Sequence, residues 1–482
     1  MTDQILTPPE KSTKIVATIG PATETEESIE KLILAGMNVA RFNTKHGTPE
    51  WHKERLARVR RVAERLGKPV ATLLDLQGPE IRLDLPEGVE FFDVNEGDTV
   101  TFTSDRAITE PNTILVPQEV IDAEDEGNRI LIDDGAGEFF VVAKNAHSIV
   151  TEVHDSFAVK KRKTVNTPGV TINMPSLIDA DYVQLDNLSD ELVDFIALSF
   201  VRNVEDIRIL REEMAKRNLH AAVMAKIENQ SAIDNLEAII KVSDAVMVAR
   251  GDLGVEVPFE ELTRWQKEII LLSRIHAKPV ITATQMLKSM VDSPVPTRAE
   301  VSDISNAVYD GTDAVMLSEE TTIGKYPVKA VKTQAKIAAY AEQHATPIEL
   351  EVFDFDVSTA ITHAAVLLLE SAQDPDHSMK IDAVICLSAT GTTARSIARF
   401  RKVRQLHVFT NRPSTYRKLA LVYGVQPHLV NFSEQSLDNS SEVMNTIKDL
   451  NVVSPGEVAL IVHGTAWNEP GLTNSLRILR VE

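Results

Sequence analysis

Eight short apolar runs, most of them separated by helical patterns, constrain this chain more than any other feature. They are TKIVATIGPA (13–22), MNVARF (37–42), PVATLLD (69–75), DFIALSF (194–200), AAVMAKI (221–227), DAVMVAR (244–250), PVITATQ (279–285) and DAVMLS (313–318). Most are continuous rather than alternating, the pattern of parallel strands covered on both faces. Between them lie helical patterns such as EESIEKLILAG (26–36), EDIRILREEMAKR (205–217), SAIDNLEAIIKVS (231–243) and FEELTRWQKEIILLSRIHA (259–277). Strand and helix alternating eight times predict an α/β fold, a (β/α)8 TIM barrel.

Two interruptions set the domain organisation. More than a hundred residues separate the third run from the fourth, and they hold EFFDV, DTVTFT, RILIDDG, EFFVVAK and SIVTEVH between acidic turns. That pattern predicts a small β domain inserted on a barrel loop. After about residue 345 a new alternation starts, with strands expected at 382–388, 405–410, 425–430, 457–464 and 475–481, a separate α/β domain. The expected division is barrel at 1–82 and 169–345, inserted β lid at 83–168, and C-terminal α/β regulatory domain at 346–482.

Length and composition agree. At roughly 150 residues per domain, 482 residues suggest about three units. With 43% apolar residues the chain is neither disordered nor fibrous, and a net charge of −21 argues against nucleic acid or an anionic membrane as partner. Residues 83–157 carry most of that excess, 18 acidic against 3 basic side chains. The single cysteine, Cys386, excludes internal disulfides and points to a reducing compartment. No apolar run approaches about 20 residues and the N-terminus lacks an apolar export segment, so the expected location is cytoplasmic.

In such a barrel the chemistry gathers where the strands end. The expected ends offer Gly20 and Pro21; Arg41, Asn43, Lys45 and His46; Asp75, Glu80 and Arg82; Ser199 and Arg202; Lys226 and Glu228; Arg250 and Asp252; Thr284 and Gln285; Ser318, Glu319 and Glu320. Arg41, Arg82 and Lys226 are cations suited to phosphate. Glu228 and Asp252 are carboxylates suited to a hard divalent ion such as Mg²⁺. Such a set fits phosphoryl transfer, where positioning and charge neutralisation do most of the catalysis. Structural readings stand beside it. Lys226 and Glu228 also read as a rim ion pair, Asp252 as a helix cap, and Asp133-Asp134-Gly135 as a hairpin turn. Lys160-Lys161-Arg162-Lys163 reads as a solvated charge block, and Ser388-Ala-Thr390-Gly391-Thr392-Thr393 as a helix cap or an anion cradle. Neither a dinucleotide fingerprint nor a P-loop is present.

TKIVATIGPA, GMNVARFN, GPEIR, AKIEN, MVARGDLGVE, ITATQMLKSM, PTRAEVSDISNAVYDGTDAVMLS and YPVKAV resemble, in order, the signature blocks of the pyruvate kinase family, from residue 13 to about 330. NTPG near 166 and GLTNSLRI near 471 extend the likeness. The resemblance implies a barrel with a mobile lid and a regulatory domain, in a homotetramer. It implies phosphoryl transfer from phosphoenolpyruvate to ADP in glycolysis, with Mg²⁺ or Mn²⁺. Glu228 and Asp252 resemble the divalent-metal ligands, and Lys226 the lysine that neutralises the transferring phosphoryl group and the enolate. Arg41, Arg82, His46 and Lys163 match nucleotide- or phosphate-facing positions. Gly251, Asp252 and Thr284 match positions at the substrate, and Ser318 and Glu320 those implicated in supplying the proton to enolpyruvate. Ser388, Thr390, Gly391, Thr392 and Thr393 resemble a phosphate-binding effector loop.

The departures carry their own expectations. The family's R-x-N-F-S-H reads here Arg41-Phe-Asn43-Thr44-Lys45-His46, with Lys45 in place of the serine that joins Asn43 and Asp75 at a monovalent-cation site. A lysine ammonium has the charge of K⁺ and three donors. The expectation is that Lys45 pairs with Asp75 and replaces K⁺, which is then not required; the alternative is a solvent-facing Lys45 beside a damaged site. Glu319 stands where glycine is usual, next to Glu320. The loop Thr465-Ala-Trp467-Asn-Glu469-Pro lacks the basic residue of bisphosphate sites, so a monophosphate or nucleotide effector is expected rather than fructose-1,6-bisphosphate. The reading from a different class is a pyruvate-kinase-like metabolite-binding protein impaired in turnover, and Lys45 and Glu319 are its support. A third reading is another phosphoenolpyruvate- or acyl-CoA-handling barrel enzyme, which leaves the lid and the C-terminal domain unexplained.

Overall fold

The computed structural model describes residues 10–110, 112–351, 356–373, 380–431, 440–464 and 473–481. Eight parallel strands close into a barrel: Lys14–Thr18, Val39–Asn43, Ala71–Asp75, Phe195–Leu198, Ala222–Ile227, Ala245–Ala249, Val280–Ala283 and Ala314–Leu317. Seven lie inside the apolar segments, and Val39–Asn43 runs one residue past its own. Side chains alternate across a strand, so each strand feeds two layers. Val16, Val39, Leu73, Ala197, Met224, Met247, Ile281 and Met316 fill the lumen. Ile15, Ala17, Ala40, Phe42, Leu74 and Ile196 face the helices outside. Both layers are dry, which is why the runs show no polar alternation.

Parity then decides what reaches the mouth. Counting by two from the lumen residues leads from Val39 to Arg41, from Leu73 to Asp75, from Ala197 to Ser199 and from Met224 to Lys226 and Glu228. The polar residues at strand ends therefore top the same column as the apolar core.

Helix boundaries follow local chemistry. Thr25, Thr48, Asn203 and Asn229 each accept a backbone N–H at a helix start, and Thr297 forms a capping box with Glu300. The segment expected as one helix at 231–243 is two, Gln230–Asp234 and Leu236–Val242. Asn235 breaks it with a non-helical backbone while its side-chain amide donates to the Arg202 and Ser231 carbonyls.

The insert forms a six-stranded sheet and a two-stranded one around their own core, including Phe102, Ile114, Ile130 and Phe139. All five expected strands are present. Thr113–Leu115, Phe157–Lys160 and Val165–Asn166 add to them, too short or too charged to read as strands. Asp133 and Asp134, both at positive φ, turn the hairpin between Arg129–Ile132 and Gly137–Lys144 as expected.

The C-terminal unit is a five-stranded sheet in the order Val425–Leu429, Leu406–Thr410, Ala383–Leu387, Val458–Gly464 and Thr473–Arg480, the last antiparallel. It docks against the barrel floor, where the strands begin. Ala420 and Leu421 enter the lumen core beneath Val16, Leu73 and Met247. Arg417 Nε donates to Asp194 Oδ1 at 2.8 Å, and Arg401 Nη2 to Asp313 Oδ2 at 2.7 Å. No described helix is long and apolar enough to cross a membrane.

Candidate active site

Arg41, Asp75, Lys226 and Glu228 meet at the mouth with almost no exposure. Arg41 forks onto Asp75 Oδ2, from Nε at 2.8 Å and Nη2 at 2.6 Å, and its Nη1 donates to Thr18 Oγ1 at 3.0 Å. Lys226 Nζ stands 2.7 Å from Glu228 Oε1 and 3.4 Å from Asp75 Oδ1, and donates to Ser199 Oγ at 2.7 Å. Ser199 passes that bond to the Leu76 carbonyl. The remaining Glu228 oxygen, Oε2, accepts the Phe200 amide at 2.6 Å.

The electrostatics follow from burial and partners. Burial would raise the Asp75 carboxyl, but Lys226 and Arg41 outweigh it and hold the group below the usual range. Burial would lower Lys226, but Asp75, Glu228 and Asp252 together raise it, so it stays charged. Burial, and then repulsion from Asp252, push Glu228 upward against the pull of Lys226. Asp75 Oδ1 and Glu228 Oε1 are buried with the Lys226 ammonium, at 3.4 and 2.7 Å, as the one polar group paired with them among the described residues.

Glu228 and Asp252 are the carboxylates that suit a divalent ion. Asp252 lies in the first turn of Arg250–Glu256 and makes no capping hydrogen bond, which removes its structural reading. Its charge acts on both Lys226 and Glu228, so it belongs to the same field. A buried, under-satisfied carboxylate beside a half-buried one fits a hard cation that takes one or two carboxylates and keeps its waters.

The seventh loop is strained. Thr284 and Gln285 both have positive φ, 68° and 57°, unfavourable for a β-branched residue. Arg250 holds this geometry: its Nε donates to the Ala283 carbonyl at 3.0 Å and Nη2 to the Thr284 carbonyl at 2.6 Å, and Asp303 pairs with its guanidinium. Glu320 fixes the far side, accepting the Leu287 amide at 3.0 Å and the Ser318 amide at 2.7 Å. Gly251 abuts Thr284; a Cβ built there would stand 3.5 Å from the threonine methyl. Arg250 appears among the strand-end residues, but nothing in its spacing signals that it clamps the neighbouring loop.

Lys45 departs from expectation. Its Nζ pairs with Glu80 Oε1 at 2.7 Å and lies 5.8 Å from the Phe200 ring centroid, not on Asp75. The reason is occupancy: Arg41 and Lys226 already neutralise Asp75, while Glu80 offers a carboxylate nearer the loop. Lys45 still contributes to holding Asp75 low. Asn43 turns its Oδ1 onto the Lys45 amide at 3.2 Å. Glu319 ion-pairs with Lys288 at the surface, away from Glu320.

Other expected residues lie apart from this cluster. Arg82 pairs with Glu80 Oε2 and donates to the Arg162 carbonyl where the chain enters the lid. Lys163 sits on the lid, its Nζ 2.7 Å from Asp133. His46 is exposed just beyond the second strand. Gly391, at φ 78°, starts the helix Thr392–Ala398 and donates to Ser388 Oγ at 2.9 Å; Thr390 and Thr392 bond to each other, and Thr393 to Thr473. The loop at 465–470, with Glu469, lies outside the described residues.

A closed parallel barrel carrying an inserted β lid, with buried cations and open carboxylates at its mouth, defines a barrel phosphotransferase. The model of the pyruvate kinase barrel domain matches residues 10–331, and that of the pyruvate kinase alpha/beta domain matches residues 367–479. The pyruvate kinase of Staphylococcus saprophyticus subsp. saprophyticus is 40% identical over 476 residues, 97% of this chain and 80% of that protein. The pyruvate kinase of Thermotoga maritima is 37% identical over 480 residues, 98% of this chain and 100% of its own. A crystal structure of a pyruvate kinase from Cryptosporidium parvum superposes with a TM-score of 0.89 at 32% identity, covering 100% of this chain and 98% of that one. The chain belongs to the pyruvate kinase family.

Proposed function

We propose that this chain transfers the phosphoryl group of phosphoenolpyruvate to ADP, giving pyruvate and ATP. The observation that carries this reading is Lys226, buried and charged between Asp75, Glu228 and Asp252 at the barrel mouth. A fixed ammonium there neutralises charge on the phosphoryl group in flight and on the enolate left behind, without reorganising as the reaction proceeds. Asp75 and Ser199 hold it in place. Glu228 and Asp252 would hold Mg²⁺ or Mn²⁺, which supplies further charge neutralisation when bound. Arg41, oriented by Asp75 and Thr18, faces the phosphate. Thr284, held in its strained position by Arg250, would stand beside the carbon that receives the proton, and Ser318 and Glu320 would order that side. Arg82, His46 and Lys163 reach the nucleotide as the lid approaches.

Lys45 supports activity without K⁺ by a route other than the expected one. Its ammonium, anchored on Glu80, adds a fixed positive charge to the field at Asp75. The surface pairing of Glu319 leaves the impaired-enzyme reading with Lys45 alone. A lactate-dehydrogenase-coupled assay with phosphoenolpyruvate, ADP and Mg²⁺ tests the proposal. Turnover that is lost in Lys226→Met supports it, and no turnover in the unaltered chain overturns it.

A further inference from the structure

The chain leaves the lid along residues 165–174, and this segment is tied to the barrel at three successive loops. Arg202, beyond the fourth strand, donates from Nη1 to the Met174 carbonyl at 2.6 Å and the Ile172 carbonyl at 3.3 Å. Ser231, beyond the fifth, meets Thr171, with the two hydroxyl oxygens 2.8 Å apart. Glu256, beyond the sixth, accepts from Asn166 Nδ2 at 2.9 Å through its Oε1. The first two contacts hold the root of the lid. The third differs, because Asn166 already belongs to the lid sheet, paired with Leu131 beside the pair of Val165 and Ile132.

Local stability does not account for a carboxylate at 256. Glu256 ends the helix Arg250–Glu256, where the helix dipole disfavours negative charge. It stands half-buried at a cleft of about 90 Å³ whose walls include Val165, Ile172 and Phe200. Burial pushes its carboxyl upward, and the Asn166 amide opposes that. Among the described residues no cation pairs with it. What the helix carries gives the carboxylate a purpose. Gly251 and Asp252 sit in the first turn, and Arg250 pins that end through the Ala283 and Thr284 carbonyls. Leu253, fully buried, fixes the middle. The side chain at the rear is tied to the lid. Asp252 and Glu256, four residues apart, share one face of the helix a single turn from each other.

We propose that Asn166 and Glu256 form a latch through which the lid sets the position of Asp252, so that Glu256 is a positioning residue for the divalent ion. This rests on the phosphoryl-transfer reading of the mouth. A helix of 7 residues moves as one body, so a shift of the lid sheet pulls on Glu256 and is felt one turn forward, at the carboxylate whose charge acts on Glu228 and Lys226. With the bond made, Asp252 is held in register with Glu228. With it broken, the rear of the helix is held by packing alone. The latch needs an acceptor rather than a charge, since its donor is a neutral amide, and Glu256→Gln keeps that acceptor.

Titration of the full chain with Mn²⁺, followed by the electron paramagnetic resonance signal of the free ion, tests this without turnover. Asn166→Ala and Glu256→Ala should each weaken Mn²⁺ about tenfold, the low end for groups that support metal ligands. Both side chains are half-buried at a cleft edge, so truncating them leaves the cores of lid and barrel intact. The double variant should be no weaker than either single one, because the two act as a unit. Glu256→Gln should stay close to the parent. Thr171→Ala, which unties the same segment from the neighbouring loop, should stay within about twofold. In steady-state kinetics the KM for Mg²⁺ should rise by a similar factor while kcat falls less. Unchanged Mn²⁺ affinity in both alanine variants overturns the latch. So does a loss in Glu256→Gln as large as in Glu256→Ala, or a loss in Thr171→Ala equal to that in Asn166→Ala, which marks general loosening of the segment. Failure of the phosphoryl-transfer reading shows separately, as absence of ATP formation by the unaltered chain.

Discussion

The two ends of one barrel treat buried carboxylates in opposite ways. On the floor, Asp194 and Asp313 have all four oxygens engaged. Asp194 accepts from Arg60, Arg417 and Thr72, and Asp313 from Arg401 and the amides of Val280 and Tyr423. At the mouth, Asp75 and Glu228 are as deeply buried, but each keeps an oxygen that meets only the Lys226 ammonium among the described residues. Saturation holds domains together, and incompleteness leaves room for ions and substrate. Carboxylates before the fourth and eighth strands thus tie the C-terminal unit on below, while those at the ends of the third and fifth stand at the proposed chemistry above.

The sharpest way to break this comparison is at the top. Lys226→Met should lower kcat about 10³-fold or more, by the loss of one fixed electrostatic contact in a water-poor site; steady-state kinetics at saturating phosphoenolpyruvate and ADP check it. The floor should answer differently. Arg401→Met leaves a buried Asp313 oxygen without its cation and should cost about 3–5 kcal/mol of stability. Denaturant unfolding measures that cost, while kcat below the transition stays within a few-fold of the parent. An Arg401→Met variant that lost turnover but not stability would refute the division.

Smaller effects sharpen the picture of the mouth. Lys45→Ser should lower the K⁺-free rate about tenfold, the equivalent of about 1.4 kcal/mol, and added K⁺ should restore it. Rates in potassium-, sodium- and ammonium-free buffer are the readout, and strong K⁺ activation of the unaltered chain would count against the fixed-charge role. Glu319→Gly removes only an exposed ion pair with Lys288 and should change stability by less than about 1 kcal/mol. A proton-exchange rate on pyruvate unchanged within twofold would confirm that Glu319 plays no part beside Glu320.

Much of this was legible in the residues. Continuous apolar runs spaced by helices announce a parallel barrel, because only strands covered on both faces dispense with alternation. The parity that lifts Lys226 above Met224 could be read in the same way. Pairing was not legible. Asp75 looked available to Lys45 in sequence, but Arg41, two residues earlier than Asn43 on the neighbouring strand, already covers it, and Glu80 competes from beyond the strand end. The short lid strands escaped for a related reason: Val165–Asn166 is a strand only because Leu131 and Ile132 lie opposite it.

Leu421 gives the architecture a further meaning. Its side chain, with that of Ala420, stoppers the lower opening of the barrel. Removing the C-terminal unit would therefore uncork an apolar shaft to water rather than detach an accessory. Any swivel of that unit must drag its stopper across the feet of several strands at once, so the barrel rim and the C-terminal unit are geared together through the shaft.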